Sequence, residues 1–396
     1  MDSASNGSKL AEGMKQYFGW KVDRNLKKAF ESFTEIRNKD KDVQNVETSY
    51  AIYYLGRMFH FAEGTNADIN QAIKHYKLAI QLNNPSAINN LGLIFEVGTG
   101  GVKIDMNQAM EHYNNAIQYN HSDAMFNLAL VYHFGNGGIR MEINRAIELY
   151  KQAIQYNHSR SMNNLALIYE AGTGGVERDI NQTVQLHKQA AQWYDARALY
   201  NLGLIYHMGN GGIRVDMEQS IQYYKQAAQY YHSGAMYNLG FIYKNGTGGV
   251  KTDMNESVKY YKQAAQYNHT DAMFNLALIY HFGTGGIKAN IDEAVKLYEQ
   301  VIQLNSSNFR AINNLALIYE NGTGGVKVNV NKAKELYEKS ISQDDTHAMY
   351  NLALIYKNGK GGIQKDKNKA MELLKKASDL GNEEAIKKYD QLKNEK

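Results

Sequence analysis

The sequence "NLALIYENGTGGVKVNVNKA" (residues 314–333) places a glycine-rich turn between two apolar segments. Such a turn before a helix either cradles a phosphate group or ends the preceding helix. A phosphate loop has a lysine and then a serine or threonine after its last glycine. Here Val326 follows the last glycine, and Val or Ile stands at this position in all the remaining copies. We therefore expect turns that end helices, and no nucleotide site. The eight copies begin at Gly98, Gly135, Gly172, Gly209, Gly246, Gly283, Gly322 and Gly359.

The glycine turn belongs to a longer repeat, in which an Asn-Leu pair precedes each turn. The interval between pairs is 37 residues, except for one of 39 where "QLNSSNFRA" (residues 303–311) carries two extra residues. A strict period of this length predicts a solenoid of stacked units. The asparagines of the series are Asn90, Asn127, Asn164, Asn201, Asn238, Asn275, Asn314 and Asn351.

Each repeat contains two predicted helices. The first, as in "AMFNLALIYHFG" (residues 272–283), has apolar residues spaced for one buried face and ends at the glycine turn. The second, as in "NQAMEHYNNAIQY" (residues 107–119), starts after a residue whose side chain can cap it. A pair this short cannot bury its apolar face alone, so neighbouring pairs must stack. The predicted caps are Asp105, Asp179, Asp216, Asp253, Asp366, Asn290 and Asn329, with Glu142 as a poorer one.

The combined pattern, A-x-x-N-L-[AG]-x-[IV]-Y-x-x-G-x-G-G-[VI]-x-x-D-x-x-x-A-x-x-x-Y-x-x-A, resembles the Sel-one-like repeat, a relative of the tetratricopeptide repeat. The resemblance implies an all-α fold, a right-handed α/α superhelical solenoid of two-helix repeats, and a role as an adaptor or scaffold. In three units Asn stands where the family often ends the second helix with Gly. Asn also tolerates a left-handed backbone, so the fold is expected to be kept. These residues are Asn120, Asn157 and Asn268.

The resemblance also sets the expected domain organisation. Residues 1–50 are predicted to form a degenerate repeat, followed from residue 37 by a charged loop. Residues 51–384 are predicted to form nine repeats of about 37 residues, and residues 385–396 a capping helix. In the first segment Asn25, Ala29 and Phe33 copy the spacing of a cap and two core residues in the later second helices.

Composition limits the classes of function. The chain has 396 residues, a net charge of +4 and no cysteine, so we expect neither a nucleic-acid interface nor disulfides nor a thiolate site. The N-terminal segment is polar, without the apolar core of a signal peptide. The apolar runs of the whole chain are shorter than the roughly 20 residues that a membrane helix needs. We therefore expect a cytoplasmic protein without membrane insertion.

The sequence offers little support for catalysis. Four histidines, His121, His158, His232 and His269, recur once per repeat between units, on the order of 10 Å apart if helices pack normally. Metal ligands must converge on one ion, so we interpret these histidines as turn residues. The carboxylates are scattered, and a glycine-flanked serine is missing. We expect a protein that is not an enzyme, without cofactor, metal or catalytic residues.

The repeated asparagines are the better candidates for binding. In tetratricopeptide-like arrays this side of the first helix lines the concave groove, so the resemblance implies a ladder of amides that could bond to a peptide backbone. The alternative is that the amides bond to the adjacent helix and hold the stack together. The predicted groove residues are Asn90, Asn127, Asn164, Asn201, Asn238, Asn275, Asn314, Asn351, Phe126, Tyr200, Tyr237, Phe274, Tyr350, His133, His207 and His281.

Three further rows share this face. One contains the residue before each asparagine, such as Asn313, and the second contains the leucine or phenylalanine one turn later, such as Leu278. The third is charged or imidazole-bearing and is interpreted either as a solvated face or as a surface that orients a charged ligand. Its members are Glu96, His133, Glu170, His207, Lys244, His281, Glu320 and Lys357.

These observations favour a non-enzymatic scaffold that binds a partner polypeptide along the groove. One alternative is a luminal or secreted adaptor of a membrane-associated quality-control (ubiquitin ligase) complex, and another is an accessory regulatory protein for a cell-wall or signalling enzyme. The missing signal sequence argues against the luminal adaptor, but Asn-x-Ser/Thr sequons are abundant. They include those at Asn120, Asn157, Asn245, Asn268 and Asn321.

Overall fold

The protein is described by a computed structural model that covers residues 2–20, 22–39 and 45–394. Within these residues the chain forms 21 α-helices and no β-strand. The fold divides into two compact units, Met1–Ala198 and Leu199–Lys396. Residues 40–44, the middle of the charged loop predicted to follow the first repeat, lie outside the described residues.

Consecutive helices pack against each other within each unit, as a solenoid requires. Odd-numbered helices are the first helices of the pairs and even-numbered helices the second. The first unit contains α1 (Asp2–Phe18), α2 (Leu26–Lys39), α3 (Val46–Phe61), α4 (Ile69–Gln81), α5 (Pro85–Val97), α6 (Met106–Ile117), α7 (Ser122–Phe134), α8 (Ile143–Ile154), α9 (Ser159–Ala171) and α10 (Ile180–Gln192).

The second unit continues the same alternation, and α11 (Ala196–Met208) contains the boundary between the units. The all-α solenoid predicted from the period is confirmed. The remaining helices are α12 (Met217–Gln229), α13 (Ser233–Asn245), α14 (Met254–Gln266), α15 (Thr270–Phe282), α16 (Ile291–Leu304), α17 (Phe309–Asn321), α18 (Val330–Ile341), α19 (Thr346–Asn358), α20 (Lys367–Asp379) and α21 (Glu383–Asn394).

The helix ends follow the predicted local chemistry. Asp105 accepts a hydrogen bond from the backbone N–H of Gln108 at 3.0 Å, and the other predicted Asp and Asn caps make the equivalent bond. Glu142 makes no such bond, as expected of a poorer cap. The second helix α6 ends at Ile117 rather than at the predicted residue 119. A turn follows, in which Asn120 adopts a left-handed backbone with φ of 58°.

The glycine turns have two roles, of which only one was predicted. Gly322 ends α17 in a left-handed conformation, with its N–H bonded to the carbonyl of Ile318 at 2.9 Å. Gly324 also has a positive φ, and a Cβ at this position would lie 2.1 Å from Cγ1 of Ile291 on the preceding second helix. The turn therefore ends one helix and makes the close contact that lets the next pair stack.

We expect Gly324→Ala to destabilise the protein more than Gly325→Ala. Both residues have a left-handed backbone, but nothing lies within 4 Å of a Cβ built at Gly325. The Gly325 variant should lose roughly 1–2 kcal/mol through backbone conformation alone, while the Gly324 variant adds the clash with Ile291. Urea unfolding of both variants measures the difference. Equal losses would show that the contact with Ile291 does not limit the packing.

The largest buried side chain of most second helices is a tyrosine. It packs against a small residue of the first helix in its own pair: a Cβ on Gly92 would lie 2.8 Å from the ring of Tyr113, and one on Gly240 would lie 2.6 Å from Tyr261. These rings are fully buried, so their hydroxyl groups need partners inside the protein. The tyrosines are Tyr76, Tyr113, Tyr150, Tyr224, Tyr261, Tyr298 and Tyr337.

Candidate functional site

The predicted groove residues line the first helices, and most are half-buried. Phe126, Phe274 and Asn90 are the buried members, whereas Tyr200 and Tyr237 remain partly accessible. In the second unit two of these residues, Phe274 and Asn314, border a cavity of about 260 Å³. Its full lining is Phe274, Leu278, Phe309, Arg310, Asn313, Asn314, Asp345 and His347.

The repeated asparagines bond to the buried tyrosine hydroxyls. Nδ2 of Asn164 donates to Oη of Tyr150 at 3.3 Å, and Nδ2 of Asn90 donates to Oη of Tyr76 at 3.3 Å. Each bond joins a first helix to the second helix of the preceding pair. The amides therefore take part in stacking, which is one of the two roles considered for them. The amides of Asn238, Asn314 and Asn351 occupy the same position and partly offset the rise that burial causes in the pKa of Tyr224, Tyr298 and Tyr337. Asn351 also donates to Oδ1 of Asn313 at 3.2 Å.

Side chains of the charged row on the first helices also contact these tyrosine hydroxyls. Nδ1 of His133 lies 3.2 Å from Oη of Tyr150, and Tyr337 donates to Glu320 at 2.8 Å. We call the assembly of a buried tyrosine, the Glu or His 17 residues before it and the Asn 14 residues after it a tyrosine rung. The equivalent contacts are those of Tyr113 with Glu96, Tyr224 with His207 and Tyr298 with His281, and of Tyr76 with His60, where the spacing is 16 residues.

The polarity of a histidine rung follows from its donors. Asn164 donates to the oxygen of Tyr150, and burial raises the pKa of Tyr150 to about 12, so the hydroxyl keeps its proton. That proton can be accepted by Nδ1 of His133 only when the imidazole is neutral. Burial lowers the pKa of His133, His207 and His281, which favours the neutral form.

Two asparagines depart from the pattern. Asn275 donates to the carbonyl of Asp271 at 2.9 Å and accepts from Nζ of Lys244 at 3.4 Å. Lys244 stands at the Glu/His position but has no acceptor to offer, and the hydroxyl of Tyr261 is buried without a partner. Asn127 instead donates to Asn89 of the neighbouring pair at 2.9 Å.

In one repeat a histidine replaces the buried tyrosine of the second helix. His187 on α10 is fully buried, neither ring nitrogen has a hydrogen-bond partner, and burial lowers its pKa to about 4. It lies 17 residues after Glu170, the spacing of Tyr113 from Glu96. An imidazole is shorter than a phenol and does not bond to this carboxylate, so the rung is incomplete.

We predict that His187→Tyr stabilises the protein, because the longer side chain can donate to Glu170. A hydrogen bond to a charged group contributes about 1.5–3 kcal/mol, less any repacking strain. His187→Leu is the matched control, since it also removes the unpaired imidazole but donates no hydrogen bond. Leucine already occupies the equivalent position of the last pair, as Leu374. Chemical denaturation should rank the tyrosine variant above the leucine variant, and adding Glu170→Gln should narrow the gap. A tyrosine variant no more stable than the leucine variant would contradict the predicted bond.

The four inter-repeat histidines cap the first helices. Nδ1 of His121 accepts from the N–H of Ala124 at 3.2 Å, while its Nε2 lies 3.1 Å from Oγ of Ser86 in the preceding pair. His158, His232 and His269 cap α9, α13 and α15 in the same way. The sequence placed them in turns but missed this role. The signal was available, because Asn84 and Asn308 occupy the equivalent positions and cap their helices.

We predict that the protein loses stability as the pH falls below about 6.5. Burial lowers the folded-state pKa of His121 and His269, so the unfolded chain takes up protons first. Their stabilising contribution is complete above the unfolded pKa and is lost as the pH falls through the folded pKa, because a protonated Nδ1 cannot accept the capping bond. The double variant His121→Asn/His269→Asn keeps neutral caps. Its unfolding free energy should change less than that of the wild type between about pH 7.5 and about pH 5.5. An equal change in both proteins would contradict the role of these caps.

The described residues also bear on two other kinds of site, a metal centre and a membrane-spanning helix. They contain no cluster of three or more His, Cys, Asp or Glu side chains arranged to hold a metal ion. Among the described helices, none combines the length and the apolar character needed to cross a membrane. Several polar groups of the first-helix face, such as Asn127 and His133, pair with one another or with the tyrosine hydroxyls.

The fold and the repeated rung define an α/α repeat protein of the kind that generally serves as a protein-interaction scaffold. A model of the Sel1 repeat matches nine consecutive segments that cover most of the chain, so the chain belongs to the Sel1 repeat family. The matched residues are 49–84, 85–118, 122–157, 159–192, 196–229, 233–269, 270–306, 310–345 and 346–382.

Two solved structures are similar to this chain. A protective antigen of uropathogenic Escherichia coli strains, which displays the same repeat fold, is 26% identical, with a TM-score of 0.62 over 98% of this chain and 79% of that one. A Sel1 repeat protein from Oxalobacter formigenes is 31% identical, with a TM-score of 0.56 over 65% of this chain and 99% of that one. A comparison with curated protein sequences gave no match.

Proposed function

We propose that the protein is a non-enzymatic scaffold that binds a partner polypeptide along the predicted groove residues of its first helices. The observation that carries the proposal is the cavity of about 260 Å³ in the second unit. Phe274, Leu278, Asn313 and Asn314, which come from three of the four rows expected to face the groove, border this one space. Apolar walls with a few placed amides suit a peptide segment.

The tyrosine rungs leave hydrogen-bonding capacity for a ligand. An asparagine side chain has two N–H donors and two lone pairs, and a rung uses one donor. Asn238 and Asn314 are only half-buried, so their remaining groups are partly accessible. The two roles considered for the asparagines are therefore compatible: the same amide can hold the stack and bond to a peptide backbone.

The proposal is tested by selecting random displayed peptides on the immobilised protein. We expect enriched peptides whose binding is lost in the variants Phe274→Ser and Leu278→Ser. Lys225→Ser and Gln229→Ser are controls on a second cavity, which lies between second helices. Circular dichroism confirms that each variant is folded. The proposal is wrong if peptides enrich only through the control surface, or if no peptide enriches.

We predict different effects of asparagine and tyrosine variants in the second unit. Tyr224→Phe and Tyr298→Phe remove the hydroxyl that the amide contacts, so they should cost about 1 kcal/mol of stability each. The amide is kept, so the affinity for a selected peptide should change little. Asn238→Ala and Asn314→Ala instead remove the amide itself. They should weaken binding by about 0.5–1.5 kcal/mol each, a few-fold to tenfold.

Melting temperature and fluorescence polarisation are measured for all four variants below their unfolding transitions. Lower melting temperatures with unchanged affinity in both groups would assign the asparagines to stacking alone. The peptide-binding role of the amides would then be withdrawn.

A luminal or secreted adaptor is the second candidate, because one observation favours it. The five sequon asparagines named above are exposed. Our proposal of a cytoplasmic scaffold is distinguished from it by mass spectrometry of the protein isolated from its native cell. Glycans at these asparagines would favour the luminal adaptor, and unmodified asparagines the cytoplasmic scaffold.

A further inference from the structure

Two arginines of the first helices lie over aromatic rings of the predicted groove. Cζ of Arg160 is 4.2 Å from the ring centroid of Phe126, and Cζ of Arg310 is 4.6 Å from that of Phe274. Both arginines are the second residue of their helix, α9 or α17, and both rings belong to the first helix of the preceding pair. We call Phe126 with Arg160, and Phe274 with Arg310, the arginine subsites.

Neither guanidinium has a carboxylate within 4.0 Å among the described residues. By contrast, Arg197 occupies the equivalent position on α11 and lies 3.9 Å from Asp195. The stacking contact uses one face of the guanidinium group, while its N–H donors lie at the edge of the plane. Burial, followed by the nearby charge of Arg197, lowers the pKa of Arg160, while the charges of Asp123 and Asp195 act in the opposite direction.

Arg310 shares the cavity with one carboxylate but forms no ion pair with it within 4.0 Å. The one carboxylate in the lining belongs to Asp345, whose Oδ2 accepts from Oγ of Ser340 at 2.7 Å and whose Oδ1 accepts from the N–H of His347 at 3.0 Å. The side chain of Asp345 is thus occupied as a helix cap. The remaining polar lining consists of His347 and the two neutral amides of Asn313 and Asn314.

Asp123 plays a comparable part beside Arg160. Its Oδ1 lies 3.1 Å from Nε2 of His158, which caps the helix that carries the arginine. In both subsites the nearby carboxylate therefore supports a helix end, and the guanidinium stays available. A guanidinium fixed on a ring loses less side-chain entropy when it binds, and its geometry matches a carboxylate.

We propose that each arginine subsite binds a carboxylate of the partner, so that the scaffold selects a polypeptide with acidic side chains between apolar ones. The inference rests on the proposed function and specifies the partner's chemistry. One guanidinium, in a cavity that also contains the carboxylate of Asp345, can balance a monoanion at most, which favours Asp or Glu over a doubly charged phosphate group. The phenylalanine and leucine of the cavity provide the contact for the apolar neighbours.

The test uses the full chain with ¹⁵N-labelled arginine and follows the Nε–Hε signals by NMR. The probes are the peptide acetyl-Ala-Leu-Glu-Leu-Glu-Leu-Ala-amide, its twin with Gln for Glu, and its twin with phosphoserine for Glu. Arg160→Lys and Arg310→Lys assign the signals, and exposed Arg214 in the second unit is the internal control. We expect saturable shifts of the Arg160 and Arg310 signals with the Glu peptide, and neither with the Gln peptide nor at Arg214.

Arg310→Lys should weaken binding of the Glu peptide at this subsite about fivefold or more, because the charge is kept but the bidentate geometry is lost. Arg214→Lys should leave it unchanged. Equal shifts at Arg214, no shift at either subsite, or tighter binding of the phosphoserine peptide would overturn the carboxylate assignment. If the Gln peptide binds as well as the Glu peptide and Phe274→Ser abolishes both, the groove function stands and the arginine subsites alone are rejected.

Discussion

The buried tyrosine hydroxyl is the constraint on which the stacking of the repeats depends. A fully buried hydroxyl without a partner costs about 1–3 kcal/mol, and the rung supplies partners from two directions. Tyr150 contacts His133 of its own pair and Asn164 of the next pair. Because this bond forms only when the next first helix has the correct rotation and height, the hydroxyl fixes the register of one pair on another. Apolar contacts alone would tolerate small slips.

The same constraint explains the chemistry of the row that looks charged in the sequence. A tyrosine that donates needs an acceptor, which Glu320 supplies as a carboxylate and His133 supplies as a neutral imidazole. Lysine cannot accept. Where Lys244 stands in this row, the hydroxyl of Tyr261 has no partner, and where Lys357 stands, the second helix carries Leu374 and needs none. The residue types in the two helices are therefore coupled, although they lie 17 residues apart.

The sequence predicted what depends on local chemistry. Helix periodicity, the Asp and Asn caps and the left-handed glycines each act over a few residues, so the two-helix repeat could be derived from "NLALIYENGTGGVKVNVNKA" and its copies. The rungs could not, because contacts over 14 and 17 residues leave no helical or strand period in the sequence. The histidine caps were missed for another reason: the cap preference is for Ser, Thr, Asp and Asn. Comparing each position across the repeats, where Asn84 and Asn308 align with the histidines, would have identified them.

Partner recognition can reside in the variable side chains of this face rather than in the rungs. The Tyr and Asn of a rung recur in nearly every repeat because each pair must stack on the next, so they cannot distinguish one part of a ligand from another. The row before each asparagine varies among Asn, Phe and Tyr, although two of its members, Asn89 and Asn313, accept hydrogen bonds from the next pair. The residue type also varies at the second position of each first helix, which is Arg160 in one repeat and Asp271 in another. A constant framework thus carries variable side chains along one face, and any selectivity of the scaffold has to come from those variable positions.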